Sequence, residues 1–244
     1  YMEKNYIISF PSSGNHLVRF FIELLNERPT SGTGNPLDIE LYRNTYSEDI
    51  PFNIKAGSKD YIFYKDHSPI RYDNLNKLIF IVRNPKEILV KNSDYKYDAR
   101  YFEGYFELID FYNNYSGPKI LFYYEDILIN KESFIRNLYS FVGTTNLKKL
   151  EYCLQNIDKL YELSQNGTNR AWGGNNSSGN LNLYWNRTSE VVKKQVNVLI
   201  DKKKKTNYLE LAIRITDAAN QSNLMVLEDL MSVLWLEFLL DLPS

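Results

Sequence analysis

A chain of 244 residues with 29 Lys+Arg against 30 Asp+Glu can bury one substantial core. It carries no global field of either sign, so nucleic acid and anionic membrane are not expected partners and any anion site must be local. The single cysteine, Cys153, cannot close an intrachain disulfide, which argues for a reducing, cytoplasmic setting; no run of about 18 uncharged apolar residues announces a membrane span, and a strand-like start argues against a signal peptide.

Short apolar runs alternate with longer amphipathic segments, the pattern of strands and helices around a mostly parallel sheet. The expected class is therefore a three-layer α/β fold of the P-loop-like nucleotide-binding type, with flanking helices and an apolar helical extension at the C-terminus. Asn5–Phe10 predicts a first strand, Pro11–Asn15 a turn, and Leu17–Leu25 a helix whose Leu17, Phe20, Phe21, Leu24 and Leu25 fall on one face. From Pro29 to Lys59 the composition shifts to Gly, Pro, Thr, Asn and Asp, which predicts an irregular excursion suited to lining a substrate site. Tyr61–Tyr64 and Leu78–Val82 read as strands, the second closed by Arg83-Asn84-Pro85 and followed by a helix over Lys86–Asn92 with Pro85 at its first position. A helix over Ala99–Tyr115, a strand over Lys119–Tyr123, and helices over Lys131–Phe141 and Leu147–Asn156 come next. Ser164–Asn182, rich in Asn, Gly and Ser, predicts a long loop, and Ser189–Lys205 a surface helix ending in four lysines. The division expected is a nucleotide-binding domain over 1–205 and a helical extension over 206–244. In the extension, Leu224, Leu227, Leu230, Met231, Leu234, Phe238 and Leu239 fall at helical spacing, and that face must cover the core, pair with another copy to give a homodimer, or belong to a separate unit.

Four constellations carry chemistry. Small residues in Phe10-Pro11-Ser12-Ser13-Gly14-Asn15-His16, between a buried strand and a helix start, let backbone N–H groups converge on a phosphate, with Ser12, Ser13 and Asn15 as side-chain donors. The alternative is a plain tight turn. The loop lacks the Gly-x-x-x-x-Gly-Lys-Ser/Thr pattern, which disfavours an ATP or GTP hydrolase. Arg83 leaves the end of a buried strand, where ligands sit in α/β sheets and where a guanidinium can grip a phosphate with two nitrogens. Tyr64-Lys65-Asp66-His67-Ser68-Pro69 places one of two histidines just after another strand, and Phe122-Tyr123-Tyr124-Glu125-Asp126 closes the series. No Cys/His or carboxylate cluster has metal-ligand spacing.

The order of these motifs resembles the sulfotransferases that use 3′-phosphoadenosine 5′-phosphosulfate (PAPS) and release PAP. That family has a loop like Pro-Lys-Ser-Gly-Thr-Thr-Trp, a Lys-Thr-His-Leu-Pro segment, an Arg-Asn-Pro/Ala-Lys-Asp segment and a Tyr-Glu-Asp segment, with counterparts here over residues 5–142. The resemblance implies that Ser12, Ser13, Gly14, Asn15 and His16 surround the 5′-phosphosulfate, that Arg83 and Lys91 hold the 3′-phosphate, and that Tyr124 lies near the adenine. It makes His67 the catalytic base and Lys65 a stabiliser of the leaving group, and it implies a Gly-containing basic clamp on the nucleotide, either at Arg170 in the predicted long loop or in the later Ser178-Gly179-Asn180 and Tyr184-Trp185-Asn186-Arg187. A histidine suits the base role because imidazole titrates near neutrality.

Ser12 departs from the family, which commonly carries Lys or Arg there to neutralise charge on the leaving phosphate oxygen. Lys65 and Arg19 are the candidate substitutes, with a solvent-facing Arg19 as the alternative. The function implied is sulfuryl transfer from PAPS to the hydroxyl of a small-molecule or glycan acceptor. The rival readings are a catalytically weak PAPS/PAP-binding protein of the same fold, a small-molecule kinase-like transferase, and a scaffold whose apolar tail binds a partner.

Overall fold

The computed structural model describes residues 4–32, 60–92, 94, 96, 98–172 and 183–203. A five-stranded sheet runs through it in the order β2-β3-β1-β4-β5, with β1 at Lys4–Ser9, β2 at Thr30–Ser31, β3 at Phe63–Asp66, β4 at Leu75–Val82 and β5 at Lys119–Tyr123. Every pairing is parallel. Parallel strands need helical crossovers, and these cover both faces of the sheet. That is why Leu78–Val82 is apolar throughout rather than alternating, and all five residues are buried.

Along β1, β4 and β5 side chains alternate between two cores. Ile7, Ile79, Ile81 and Phe122 pack with Phe20, Phe21, Leu24 and Leu25 of helix α1 (Asn15–Asn26). Ile8, Leu78, Phe80 and Val82 point to the other face, against Ile88, Leu89 and Val90 of α2 (Pro85–Asn92) and Phe106, Ile109 and Tyr112 of α3 (Ala99–Asn114). Burying one such side chain stabilises by roughly 1.5–3 kcal/mol, so the two-sided sheet is the rigid part of the molecule.

On the α1 face lie α4 (Tyr124–Ile129), α5 (Lys131–Val142), α6 (Leu147–Gln155) and α7 (Ile157–Trp172). Asn130 caps α5 by accepting from Ser133 N at 3.0 Å, and Gly143 ends it with φ 81°. Asn146 caps α6 through Lys149 N at 3.2 Å. The short α8 (Leu183–Asn186) and α9 (Glu190–Lys203) close the α2 face, where Val196 and Ile200 are buried.

Three sequence expectations shift. The second strand in the chain is the two-residue β2, inside the segment expected to be irregular, and β3 sits two residues later than Tyr61–Tyr64. The loop expected from Ser164 is helical through Trp172: Leu160 and Ser164 are buried, and this apolar footing overrides the low propensity of the Asn-Gly-Thr-Asn stretch. The extension 206–244, the excursion from 33 to 59 and residues 173–182 lie outside the described residues. Among the described residues, no helix is long and apolar enough to cross a membrane.

Candidate active site

Because the strands are parallel, the C-terminal ends of β1, β3, β4 and β5 share one edge of the sheet. From that edge emerge the loop after β1, His67, Arg83 and Tyr124, the four constellations expected from the sequence. Ligands in open α/β sheets bind at this edge.

The loop carries two left-handed residues, Ser12 at φ 66° and Gly14 at φ 96°. A residue with a Cβ pays roughly 1–2 kcal/mol for that conformation, so Ser12 is strained and must be held by its neighbours. They are present. Arg83 Nη1 donates to the Ser12 carbonyl at 3.0 Å, and Asn92 Nδ2 donates to the Pro11 carbonyl at 3.2 Å. Gly14 is required for a second reason: a Cβ there would stand 2.5 Å from Cδ2 of Tyr124. The Ser13 hydroxyl and Asn15 Oδ1 are buried in the loop without a hydrogen-bond partner, at the N-terminus of α1 where the helix dipole favours an anion.

Arg83 is 7% exposed, and its guanidinium lies over the Tyr124 ring, 4.5 Å from the centroid. Its backbone carbonyl accepts from Tyr105 OH at 3.0 Å, and the next amide, Asn84 N, donates to Glu125 Oε1 at 2.9 Å. Asn84 Oδ1 in turn accepts Lys86 N at 3.0 Å at the start of α2, while Asn84 Nδ2 is buried without a hydrogen-bond partner. Burial pushes the Lys91 ammonium below its usual range, and the positive charge of Arg83 adds to the shift. The buried Glu87 carboxylate opposes the Lys91 shift, and Glu125 lies beside Arg83. Burial is the largest cause raising the Tyr161 phenol, and the nearby Tyr124 phenol adds to it.

His67 Nδ1 stands 2.6 Å from the Ser9 carbonyl. A carbonyl only accepts, so Nδ1 carries the proton and Nε2 is the basic nitrogen of the neutral ring. Asp66 Oδ1 accepts from His67 N at 2.6 Å and from Ser68 N at 3.0 Å, fixing the turn after β3. Burial is the largest cause lowering the His67 pKa, with Lys65 and Arg19 adding to it against the Ser9 hydrogen bond and Asp66. Ser9 Oγ also accepts Asn15 Nδ2 at 3.1 Å, so one residue at the end of β1 holds both the imidazole and the first residue of α1. Ser9 was not readable from the sequence, because its role rests on a backbone carbonyl.

The expectation for Arg19 is corrected. It neither faces solvent nor reaches the loop: it is fully buried, with Nε donating to Thr30 Oγ1 at 2.7 Å and Nη2 to the Thr30 carbonyl at 3.3 Å. An arginine one turn into α1 lies over the sheet edge at β2 rather than over the helix start. Lys65 pairs in register with Ile7 and is half-buried, with its charge felt at His67. His16 is half-buried in the first turn of α1. The side chain of Arg170 lies outside the described residues. Among the described residues, no group of three His, Cys, Asp or Glu is placed to hold a metal.

No family model matches the sequence, and no curated protein matches it. Solved structures do. The crystal structure of the mouse sulfotransferase SULT7A1 complexed with PAP superposes with a TM-score of 0.54, covering 88% of this chain and 89% of that one, at 14% identity. The chain has the sulfotransferase fold. At that identity the fold is what the two share, and in this sulfotransferase-fold protein the role of each residue rests on its own geometry.

Proposed function

We propose that the protein transfers a sulfuryl group from PAPS to an acceptor hydroxyl. The observation that carries this reading is the His67 imidazole, held by the Ser9 carbonyl with Nε2 as its basic nitrogen, on the residue that ends β1 and leads into the glycine loop. The residues fit a doubly anionic nucleotide: Ser13 Oγ and Asn84 Nδ2 are buried donors without acceptors, and Arg83 and Lys91 are neighbouring cations.

In this reading Ser13, Gly14, Asn15 and His16 surround the 5′-phosphosulfate, Arg83 and Lys91 hold the 3′-phosphate, and Tyr124 borders the adenine. When bound, PAPS supplies an activated sulfuryl group on a phosphate leaving group. His67 takes the proton of the acceptor hydroxyl on Nε2, and the Ser9 carbonyl fixes the ring so that this nitrogen is unprotonated beforehand. Burial keeps the ring neutral, which favours its use as a base near pH 7. Lys65 stabilises charge on the departing phosphate, a task Ser12 cannot perform.

Ser12 also favours a second reading, a protein that holds PAPS or PAP and turns over slowly. Incubation with sulfur-labelled PAPS and a panel of alcohols, phenols and sugars separates the two. Sulfated product with the wild type and none with His67→Ala, at unchanged nucleotide affinity, supports transfer. Binding without product assigns the second reading, and neither binding nor product refutes both.

A further inference from the structure

Behind the proposed base lies a buried polar group that the transfer reading does not use. Arg19, Glu23 and Thr30 are each at most 1% exposed. Thr30 N donates to Glu23 Oε1 at 2.8 Å, the Thr30 hydroxyl donates to the same oxygen, and Arg19 grips Thr30 at both its hydroxyl and its carbonyl. Burying a guanidinium and a carboxylate costs more than apolar residues of the same size would, so the arrangement is a poor device for stability alone. What it does geometrically is tie α1 to β2. Thr30 pairs with Phe63 and Ser31 with Tyr64, and β3 runs on from there to Asp66 and His67. α1 in turn begins at Asn15, directly after the glycine loop.

We propose that Arg19 is a positioning residue: by clamping Thr30 to α1, it sets where the β3 end, and with it His67, stands relative to the loop. The proposal rests on the reading of His67 as the base. The clamp ties α1 to β2, and through the β2–β3 pairing to β3, whereas the Ser9 carbonyl ties His67 to the end of β1. Removing the clamp leaves β3 placed by its pairing with β1 and the imidazole held by the Ser9 carbonyl.

The charges acting on the ring give an independent readout. Among the described residues these are Lys65 and Asp66 from β3 and Arg19 from α1, which shares Thr30 as a partner with Glu23. Arg19 favours the neutral ring, so its loss moves the His67 midpoint up and narrows the range in which Nε2 is free to accept a proton.

The chain has two histidines, so the His67 ring can be followed by nitrogen-proton NMR across pH without any turnover. Arg19→Met raises the His67 midpoint and lowers kcat more than it raises KM for the nucleotide, with the acid limb of the rate profile moving upward in step. Arg19→Lys, which keeps the charge and one donor, retains the low midpoint. Should Arg19→Met fold poorly because Glu23 is left charged and buried, Arg19→Met with Glu23→Gln removes both charges while Gln still accepts from Thr30, and the midpoint still rises. An unchanged midpoint in a folded Arg19→Met or double variant, whatever its melting temperature, overturns the proposal. A raised midpoint with the Nδ1-protonated tautomer unchanged reports loss of charge alone and also overturns it; a raised midpoint with that tautomer lost, in a protein whose wild type transfers no sulfuryl group, leaves the clamp standing and refutes the transfer reading instead.

Discussion

Gly14→Ala is the perturbation whose consequence can be worked most closely from the structure. The residue sits at φ 96°, and a Cβ would lie 2.5 Å from Cδ2 and 2.9 Å from Cε2 of Tyr124. The backbone conformation alone costs an L-residue roughly 1–2 kcal/mol. Overpacking against an aromatic ring adds about 1–3 kcal/mol, because the ring cannot move freely. The Arg83 guanidinium lies over it, 4.5 Å from the centroid. The expected loss is therefore about 2–5 kcal/mol. Only the second part depends on Tyr124, so in a Tyr124→Ala background the same glycine change costs about 1–2 kcal/mol. Guanidinium unfolding midpoints of the four proteins close the double-mutant cycle. Coupling of about 1–3 kcal/mol is expected, and costs that add to within about 0.5 kcal/mol would show that the ring does not enforce the glycine.

The pH dependence of His67 has a definite sign. Its folded pKa lies below the unfolded value, chiefly through burial, so its contribution to stability is fully present above the unfolded pKa and is lost as pH falls through the folded one. The transfer rate should therefore hold to lower pH than an ordinary imidazole allows, and His67→Gln should remove part of the acid sensitivity of the melting temperature. Glu87 is fully buried, and its Oε1 accepts Trp185 N at 2.7 Å, fastening α8 to α2. Glu87→Ala should destabilise by about 1–3 kcal/mol and speed hydrogen exchange at Trp185, whereas Glu87→Gln keeps the acceptor and most of the stability. Lys91→Met should weaken nucleotides that carry a 3′-phosphate and leave those without one unaffected, as measured by calorimetry. Equal losses for both would remove Lys91 from the phosphate site.

The central strand was legible because Leu78–Val82 is buried on both faces. Leu78–Val82 and Lys119–Tyr123 stand out as short runs closed by Arg83-Asn84-Pro85 and Tyr124-Glu125-Asp126, and the structure starts α2 at Pro85. β2 was not legible, since two polar or half-buried residues carry no periodicity and earn their place only through pairing with β3. The same gap hid Arg19: the residue it grips is 11 positions away, on a strand too short to predict. Glu87 and Glu125 were missed for a related reason. Each carboxylate accepts a distant backbone N–H, Trp185 and Asn84 respectively, and nothing in the local sequence marks an acidic residue for that use. The motif residues gathered at one sheet edge because parallel topology sends the ends of β1, β3, β4 and β5 to the same side.

We propose above all that this edge holds a nucleotide phosphorylated at both its 3′ and 5′ positions. Calorimetric titration with PAP and with adenosine 5′-phosphate, on the wild type and on Arg83→Ala, tests it most directly. A charge-assisted contact to the 3′-phosphate is worth about 1.5–3 kcal/mol, so PAP should bind the wild type roughly 10- to 100-fold tighter than adenosine 5′-phosphate, and Arg83→Ala should erase most of that difference. Equal affinities for the two nucleotides in the wild type, or no saturable binding of PAP, would contradict it.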